Sequence, residues 1–448
     1  MNLTRKQLGF GLMAAGLGAG MAARPARVAA QQAGQQTSQQ TTNLPTTPAA
    51  PGQVTHFFRN SAFEFVLLTS LGRAYHQGGN VGKVLHVIGQ IEDGNFESAY
   101  QALIAAGDEA RDLARESEKG GHVESARQAY LWAQNYYDSA IYFADGTGDP
   151  QRITTAWQLM DDCWLKSIAL FDPPIERIDI PYAGTALRGF YFRGKSTAEK
   201  RPLLILVNGS DGCALDMWTL GAAGATARGY DCLTFDGPGQ GYALWKQGLH
   251  FRPDWEHVVT PVVDFALGRD GVDPKRIAIQ GVSQGGYWVP RAIAFEKRIA
   301  AAIADPGVVD VSASWTATLP PPMLELLKAG RKDEFDGYMT QTLEATTRNA
   351  LLFRMRPYGV TSYYDAFRAA MDYNLADVAG RIECPMLITE PANEAFWPGQ
   401  SRRLHDLLTC PKTLVPFSVS DGADLHCEPT AYGLRDLRVF NWLDKTLK

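Results

Sequence analysis

Residues 275–294 read KRIAIQGVSQGGYWVPRAIA, and the fold turns on how this stretch bends. Ile277-Ala-Ile279 is a short apolar run that predicts a buried strand. Gly281-Val-Ser283-Gln-Gly285-Gly286 then turns sharply, and small and apolar residues continue beyond it at helical spacing. G-x-S-x-G between a strand and a helix is the setting of a nucleophile elbow. So strained a turn leaves no room for a Cβ two residues to either side of the serine, which gives Gly281 and Gly285 a steric role. The bend lifts the Ser283 hydroxyl over the sheet edge. It also leaves the Gln284 amide at a helix N-terminus, where an unpaired N–H and the helix dipole favour negative charge. The bland alternative is a Gly-rich turn with an idle serine, and the flanking strand and helix weigh against it.

Outward from the elbow, strands and helices alternate. Ile175–Pro181 and Ala186–Arg193 read as a hairpin around a turn at Tyr182–Thr185. Pro202–Val207 is continuously apolar, the mark of a strand buried on both faces. A helix over 215–228, a strand at Asp231–Phe235 and a helix at Trp255–Leu267 follow. After the elbow come strands at Ala300–Ala304, Pro385–Thr389 and Lys412–Phe417, and a closing amphipathic helix at Leu434–Leu447. This rhythm predicts an α/β fold with a mostly parallel, doubly wound sheet, spanning 173–448. Residues 306–382 interrupt it with helical, aromatic-rich segments, read as an insertion over the carboxyl edge of the sheet. Residues 53–172 predict a helical domain, with helices over Phe57–Leu71 and Glu97–Ser117. Ala126, Tyr130, Ala133, Tyr137 and Ala140 mark the apolar face of another.

An activated serine needs a base, and the base an orienting acid. With an elbow of this kind the acid and then the histidine follow the serine, each on the loop after a late strand. His426 lies beyond the last predicted strand, whereas the other histidines precede the elbow or sit in helices. Glu394, five residues past the 385–389 strand, is favoured as the acid over Glu390 at the strand's end. Asp421 and Asp424 read as residues that shape the loop. One oxyanion donor is expected from the Gln284 amide. The other is expected from the loop after 202–207, from an amide within Gly209-Ser210-Asp211.

Composition bounds the rest. The 448 residues are 45% hydrophobic and 20% charged, with a formal net charge of −5 and no basic run, so nucleic acid is not an expected partner. Six cysteines in so long a chain make no disulfide framework, and none has zinc spacing beside another cysteine or histidine. Gly237-Pro-Gly-Gln-Gly241 lacks the ending of a phosphate loop and the spacing of a dinucleotide fingerprint. No metal or cofactor is therefore expected. Arg5-Lys6, the Gly/Ala-rich apolar stretch from Leu8 and the small residues Val28-Ala-Ala30 read as a signal peptide over 1–30. A Gln/Thr/Pro-rich linker follows over 31–52. Nothing else is apolar enough to span a membrane, so the expectation is an exported protein, periplasmic or secreted.

FDGPGQG (235–241), DWEHVVTPVVDFAL (254–267), VDPKRIAIQGVSQGGY (272–287), NEAFWPGQ (393–400) and DGADLHCEP (421–429), taken in this order, carry a family resemblance. The chain resembles the α/β-hydrolases related to 2,6-dihydroxypseudooxynicotine hydrolase, with the fungal pigment hydrolases that shorten polyketides and esterases of the fermentation–respiration-switch type. The resemblance runs from about residue 54 to the C-terminus and includes GHVESARQAYLWAQNYYDSA (121–140). It implies a helical N-terminal domain over an α/β-hydrolase core, with the active site between them. It carries a triad onto Ser283, Glu394 and His426, Glu standing where members often have Asp. It also implies cleavage of an ester, or of a carbon–carbon bond beside a ketone. In the latter case an extra carboxylate assists proton transfer, and Asp310 is the candidate. A homodimer through the helical domain is a further implication. The expectation is thus a serine hydrolase acting on a medium-sized small molecule. An exopeptidase-like serine hydrolase and a catalytically silent binding or scaffold protein are the alternatives.

Overall fold

The computed structural model describes residues 56–448. The predicted signal peptide and linker lie outside the described residues. Five helices come first: α1 (Ser61–Gly72), α2 (Val81–Gln90), α3 (Phe96–Lys119), α4 (Val123–Ala144) and α5 (Gln151–Ala169). The first three are started by asparagines. The Asn60, Asn80 and Asn95 side chains each accept a backbone N–H of the first turn, satisfying donors that a helix leaves open there. The spacing in 126–140 predicts one apolar face, but α4 is buried almost all round from Ala126 to Ala144. The reason is its position. Its apolar residues pack with the other helices, while Gln134, Asn135 and Asp138 turn towards charged partners.

Eight strands follow: β1 (Glu176–Tyr182), β2 (Thr185–Phe192), β3 (Arg201–Val207), β4 (Asp231–Phe235), β5 (Val272–Val282), β6 (Ala301–Asp305), β7 (Met386–Pro391) and β8 (Lys412–Phe417). They form one sheet in the order β1-β2-β4-β3-β5-β6-β7-β8. β1 and β2 are the expected antiparallel hairpin, β2 meets β4 antiparallel, and every later pair is parallel. β3 is buried on both faces. Leu204 and Leu206 join the core shared with the N-terminal helices, and Leu203, Ile205 and Val207 join the core on the opposite face. That second core holds Trp255 and Trp288, stacked with ring centroids 4.5 Å apart, and the apolar residues of the helices between β6 and β7.

Those helices span Ser312–Thr316, Pro321–Lys328, Lys332–Thr342, Ala345–Met355 and Tyr363–Ala370. They reach the N-terminal helices. Arg356 makes two bonds to Asp145, at 3.0 and 2.7 Å, and the rings of Phe353 and Tyr142 stand 5.2 Å apart. The helix expected over 215–228 is instead a broken element, a π turn at Trp218–Ala222 followed by a short helix at Ala223–Ala227. Gly221, with φ 170°, interrupts it. The break leaves the Leu220 carbonyl to the buried Arg435 guanidinium, 2.8 Å away.

Candidate active site

Ser283 begins the turn after β5 with φ 57°, a left-handed conformation that costs a residue with a Cβ about 1–2 kcal/mol. Surrounding contacts hold it there. Its N–H donates to the Asp305 carbonyl at the end of β6, 2.6 Å away. A Cβ on Gly281 would lie 2.0 Å from the Gly285 carbonyl oxygen, so only glycine lets the strand and the following helix cross this closely.

The His426 imidazole meets the serine from the loop after β8. Its Nε2 is 2.9 Å from Ser283 Oγ, and its Nδ1 is 2.7 Å from Glu394 Oε2. The His426 and Glu394 side chains are 5% and 6% exposed. Two loops must coincide for this, and a pair of bonds pins them. Asn393 N–H donates to the Asp424 carbonyl at 2.8 Å, and Asn393 Nδ2 donates to Asp424 Oδ2 at 2.6 Å. Burial by itself raises the Glu394 carboxyl. The imidazole beside it and the N–H groups of Trp397 and Phe396 outweigh that and hold it below the ordinary carboxylate value. An ionised Glu394 keeps the proton on Nδ1 and leaves Nε2 free to accept from the serine hydroxyl. Phe396, Trp397 and Phe65 surround the imidazole, with centroids 4.6, 5.7 and 6.0 Å away. Phe65 belongs to α1, so the N-terminal helices reach this ring.

The other candidates go elsewhere. Glu390 pairs with Arg402 at 2.7 Å. Asp310 accepts from the Ser312 N–H at 3.0 Å and the Ser312 hydroxyl at 2.7 Å, capping a short helix and touching neither Ser283 nor His426.

On the oxyanion side, the Gln284 and Ser210 N–H groups donate no hydrogen bond among the described residues. Gly209, expected as a donor alongside Ser210, is corrected by its contacts, because its N–H is occupied by Asn208 Oδ1 at 2.7 Å. Its part is clearance: a Cβ there would lie 2.6 Å from Ser283 Cβ. The 208–213 loop is braced from below. Asp216 Oδ2 accepts from the Cys213 N–H at 2.9 Å and from Asn208 Nδ2 at 3.2 Å. Gln240 Nε2 donates to the Asn208 and Gly209 carbonyls at 2.8 and 2.9 Å, which is how the 237–241 glycine loop uses its polar residue. Arg73 and Gln134 reach Asp216 Oδ1 from the N-terminal helices, each at 3.3 Å. A narrow cleft opens against Ser210, Asp211 and Gly212.

These braces went unread in the sequence. The signal for them is Gln134, Asn135 and Asp138, polar residues set within the mostly apolar second half of α4.

A hydroxyl in hydrogen-bond reach of an imidazole backed by a buried carboxylate can give up its proton to that ring. Two open N–H groups nearby can receive an oxygen that gains negative charge.

Residues 229–352 match the prolyl oligopeptidase family. The chain is 30% identical over 410 residues to hydrolase LUC6 of a Fusarium species, covering 87% of this chain and 97% of that protein. It is also 30% identical over 412 residues to the 20-hydroxy-prefusarin hydrolase FUS2 of Gibberella moniliformis, with the same coverage of 87% and 97%. Among solved structures, the crystal structure of the 2,6-dihydroxy-pseudo-oxynicotine hydrolase superposes with a TM-score of 0.65 at 19% identity, over 84% of this chain and 95% of that one. At that identity the likeness concerns the fold.

Proposed function

This chain belongs to the α/β-hydrolase family of those fungal hydrolases and is a hydrolase; from that premise we propose that Ser283 attacks a carboxylic ester, or an activated carbon–carbon bond beside a ketone, in a medium-sized small molecule. One observation carries the reading: a single imidazole spans Ser283 Oγ at 2.9 Å and Glu394 at 2.7 Å. In the proposed reaction Ser283 Oγ attacks the carbonyl carbon while His426 Nε2 takes its proton. The imidazolium faces Glu394, which stabilises it and keeps the ring in place. The Gln284 and Ser210 N–H groups receive the oxyanion, and one such donor is worth about 3 kcal/mol of barrier. His426 then protonates the leaving alkoxide, or the leaving carbanion of a ketone substrate, and water releases the acyl group from Ser283 by the reverse proton path. The 20-hydroxy-prefusarin in one relative's name is a small molecule and favours that substrate class here.

The test is intact-mass analysis after fluorophosphonate treatment of wild type and Ser283→Ala, followed by ester and diketone screening. A single adduct on wild type and none on the variant is expected. A folded wild type that stays unlabelled and turns over no substrate in the screen overturns the reading. The prolyl oligopeptidase match over 229–352 favours a second reading, an exopeptidase. Release of p-nitroaniline from aminoacyl anilides, with no ester or diketone turnover, would select it. Export is part of the proposal, resting on the charged and apolar segments of residues 1–30. N-terminal sequencing of fractionated cells should find a chain starting near Gln31 outside the cytoplasm, and an intact cytoplasmic chain would reject it.

A further inference from the structure

Asp138 projects from α4 into the cleft beside the 208–213 loop. Its Oδ2 is 2.7 Å from Arg73 Nη1, and among the described residues its Oδ1 takes no hydrogen bond. Asp138 is more than Arg73 requires. The same guanidinium already meets Asp216 at 3.3 Å and Asn135 Oδ1 at 3.2 Å. Two buried carboxyls thus share one cation, an arrangement with a desolvation cost that a purely structural ion pair would avoid. Burial, and then the Asp216 charge, push the Asp138 carboxyl up to about 7 against the pull of Arg73. Trp157, Trp245, Phe353 and Ile141 give the cleft apolar walls, and its second carboxylate, Asp211, already accepts from the Ser210 hydroxyl at 2.8 Å. Apolar walls around a carboxyl oxygen without a hydrogen-bond partner, next to a loop with an open N–H, make a binding site that sets orientation.

We propose that Asp138 is the specificity residue of this cleft: its open Oδ1 pairs with a hydroxyl on the aromatic or alicyclic part of the substrate, while the reacting carbonyl lies at Ser210. The proposal rests on the reading of Ser283 and the Ser210 loop as the reacting centre. A hydroxyl suits the site better than an ammonium group. It can donate to a carboxylate or accept from a carboxylic acid, whereas a second cation would sit against the Arg73 guanidinium.

The experiment separates binding from catalysis. Ser283→Ala cannot turn over an ester, so binding to it is read from quenching of tryptophan fluorescence, to which Trp157 and Trp245 contribute from the cleft. The ligands are methyl hydrocinnamate and its ortho, meta and para hydroxyphenyl analogues. At least one hydroxylated ester is expected to bind about 10-fold more tightly than the parent. In Ser283→Ala/Asp138→Leu that advantage disappears, while the parent binds within about twofold as before. Arg73 keeps Asp216 in this variant. Should the leucine variant fail to fold, the isosteric Asp138→Asn replaces it and is expected to lose most of the advantage. An advantage that survives either substitution, or no advantage in the first place, overturns the proposal. A hydroxyl preference that depends on Asp138, beside a wild type that neither labels nor hydrolyses, would support the cleft assignment and sink the catalytic reading alone.

Discussion

Arg73 Nη2 lies 3.3 Å from Asp216 Oδ1. This contact joins the end of the first helix to the loop that faces the candidate nucleophile, because the other oxygen of Asp216 holds Asn208 and Cys213. The N-terminal helices therefore take part in setting the loop's position. Asp216→Ala should lower kcat by roughly 10- to 100-fold with KM changed only a few-fold, since a displacement near 1 Å at a reacting centre costs on that order. Steady-state kinetics on p-nitrophenyl acetate, beside a thermal melt, would check it. An equal loss in binding and fold stability with kcat intact would speak against it.

Gly209 offers a sharper probe of the same loop. An alanine there puts its Cβ 2.6 Å from Ser283 Cβ and 3.0 Å from Oγ. Gly209→Ala should fold, since the loop can shift outward, but should label with fluorophosphonate at least about 100-fold more slowly. Labelling at the wild-type rate would show that the loop and the serine are less tightly coupled than these distances imply.

Glu394→Gln preserves shape but removes the charge that selects the Nδ1-protonated imidazole. A fall in kcat of about 10³- to 10⁴-fold is expected, as for loss of a triad carboxylate. The variant also carries a stability signature. Glu394 is held below the ordinary carboxylate value, so its charge stabilises the fold above the unfolded value of about 4.3. That contribution is lost as pH falls through the lower folded value. Melting curves between pH 6 and pH 3, roughly bracketing that window, should fall more steeply for wild type than for Glu394→Gln.

Glu428 carries the opposite sign. It is fully buried, and burial followed by the charge of neighbouring Asp305 pushes its carboxyl well above the usual range. Folding must then take up a proton that the unfolded chain has released above about pH 4.3. The penalty grows as pH rises towards the folded value. Glu428→Gln should raise Tm, and by more at pH 8 than at pH 5, the two sides of that interval being roughly neutral-basic and mildly acidic. A larger gain at the acidic end would refute the protonated form.

Much of this architecture was legible because it rests on local rules. Ile277–Ile279 before Gly281-Val-Ser283 announced a strand and a sharp turn, and the strand proved longer, Val272–Val282. The apolar run Pro202–Val207 announced a strand covered on both faces. Alanine-rich sequence favours helix and predicts one over 215–228, whereas the tertiary structure breaks it at Gly221 and gives the Leu220 carbonyl to Arg435. Gly209 was offered as an amide donor because its type and place fit. The side chain of its neighbour Asn208, which takes that N–H, is a matter of rotamer and packing that spacing does not contain.

By itself, then, the sequence determined the order of strands and helices and the chain positions of Ser283, Glu394 and His426 at the ends of strands. Hydrophobic periodicity and turn chemistry act over a few residues and are written locally. Only the tertiary structure decided that Glu394 rather than Glu390 meets His426, that Phe65 approaches that ring, and that Arg73, Asp138 and Asp216 converge beside Ser210. These are contacts between groups 32 to 361 residues apart, counted between Glu394 and His426 and between Phe65 and His426. They form only when the sheet brings loop ends together and burial forces each charge to find its partner.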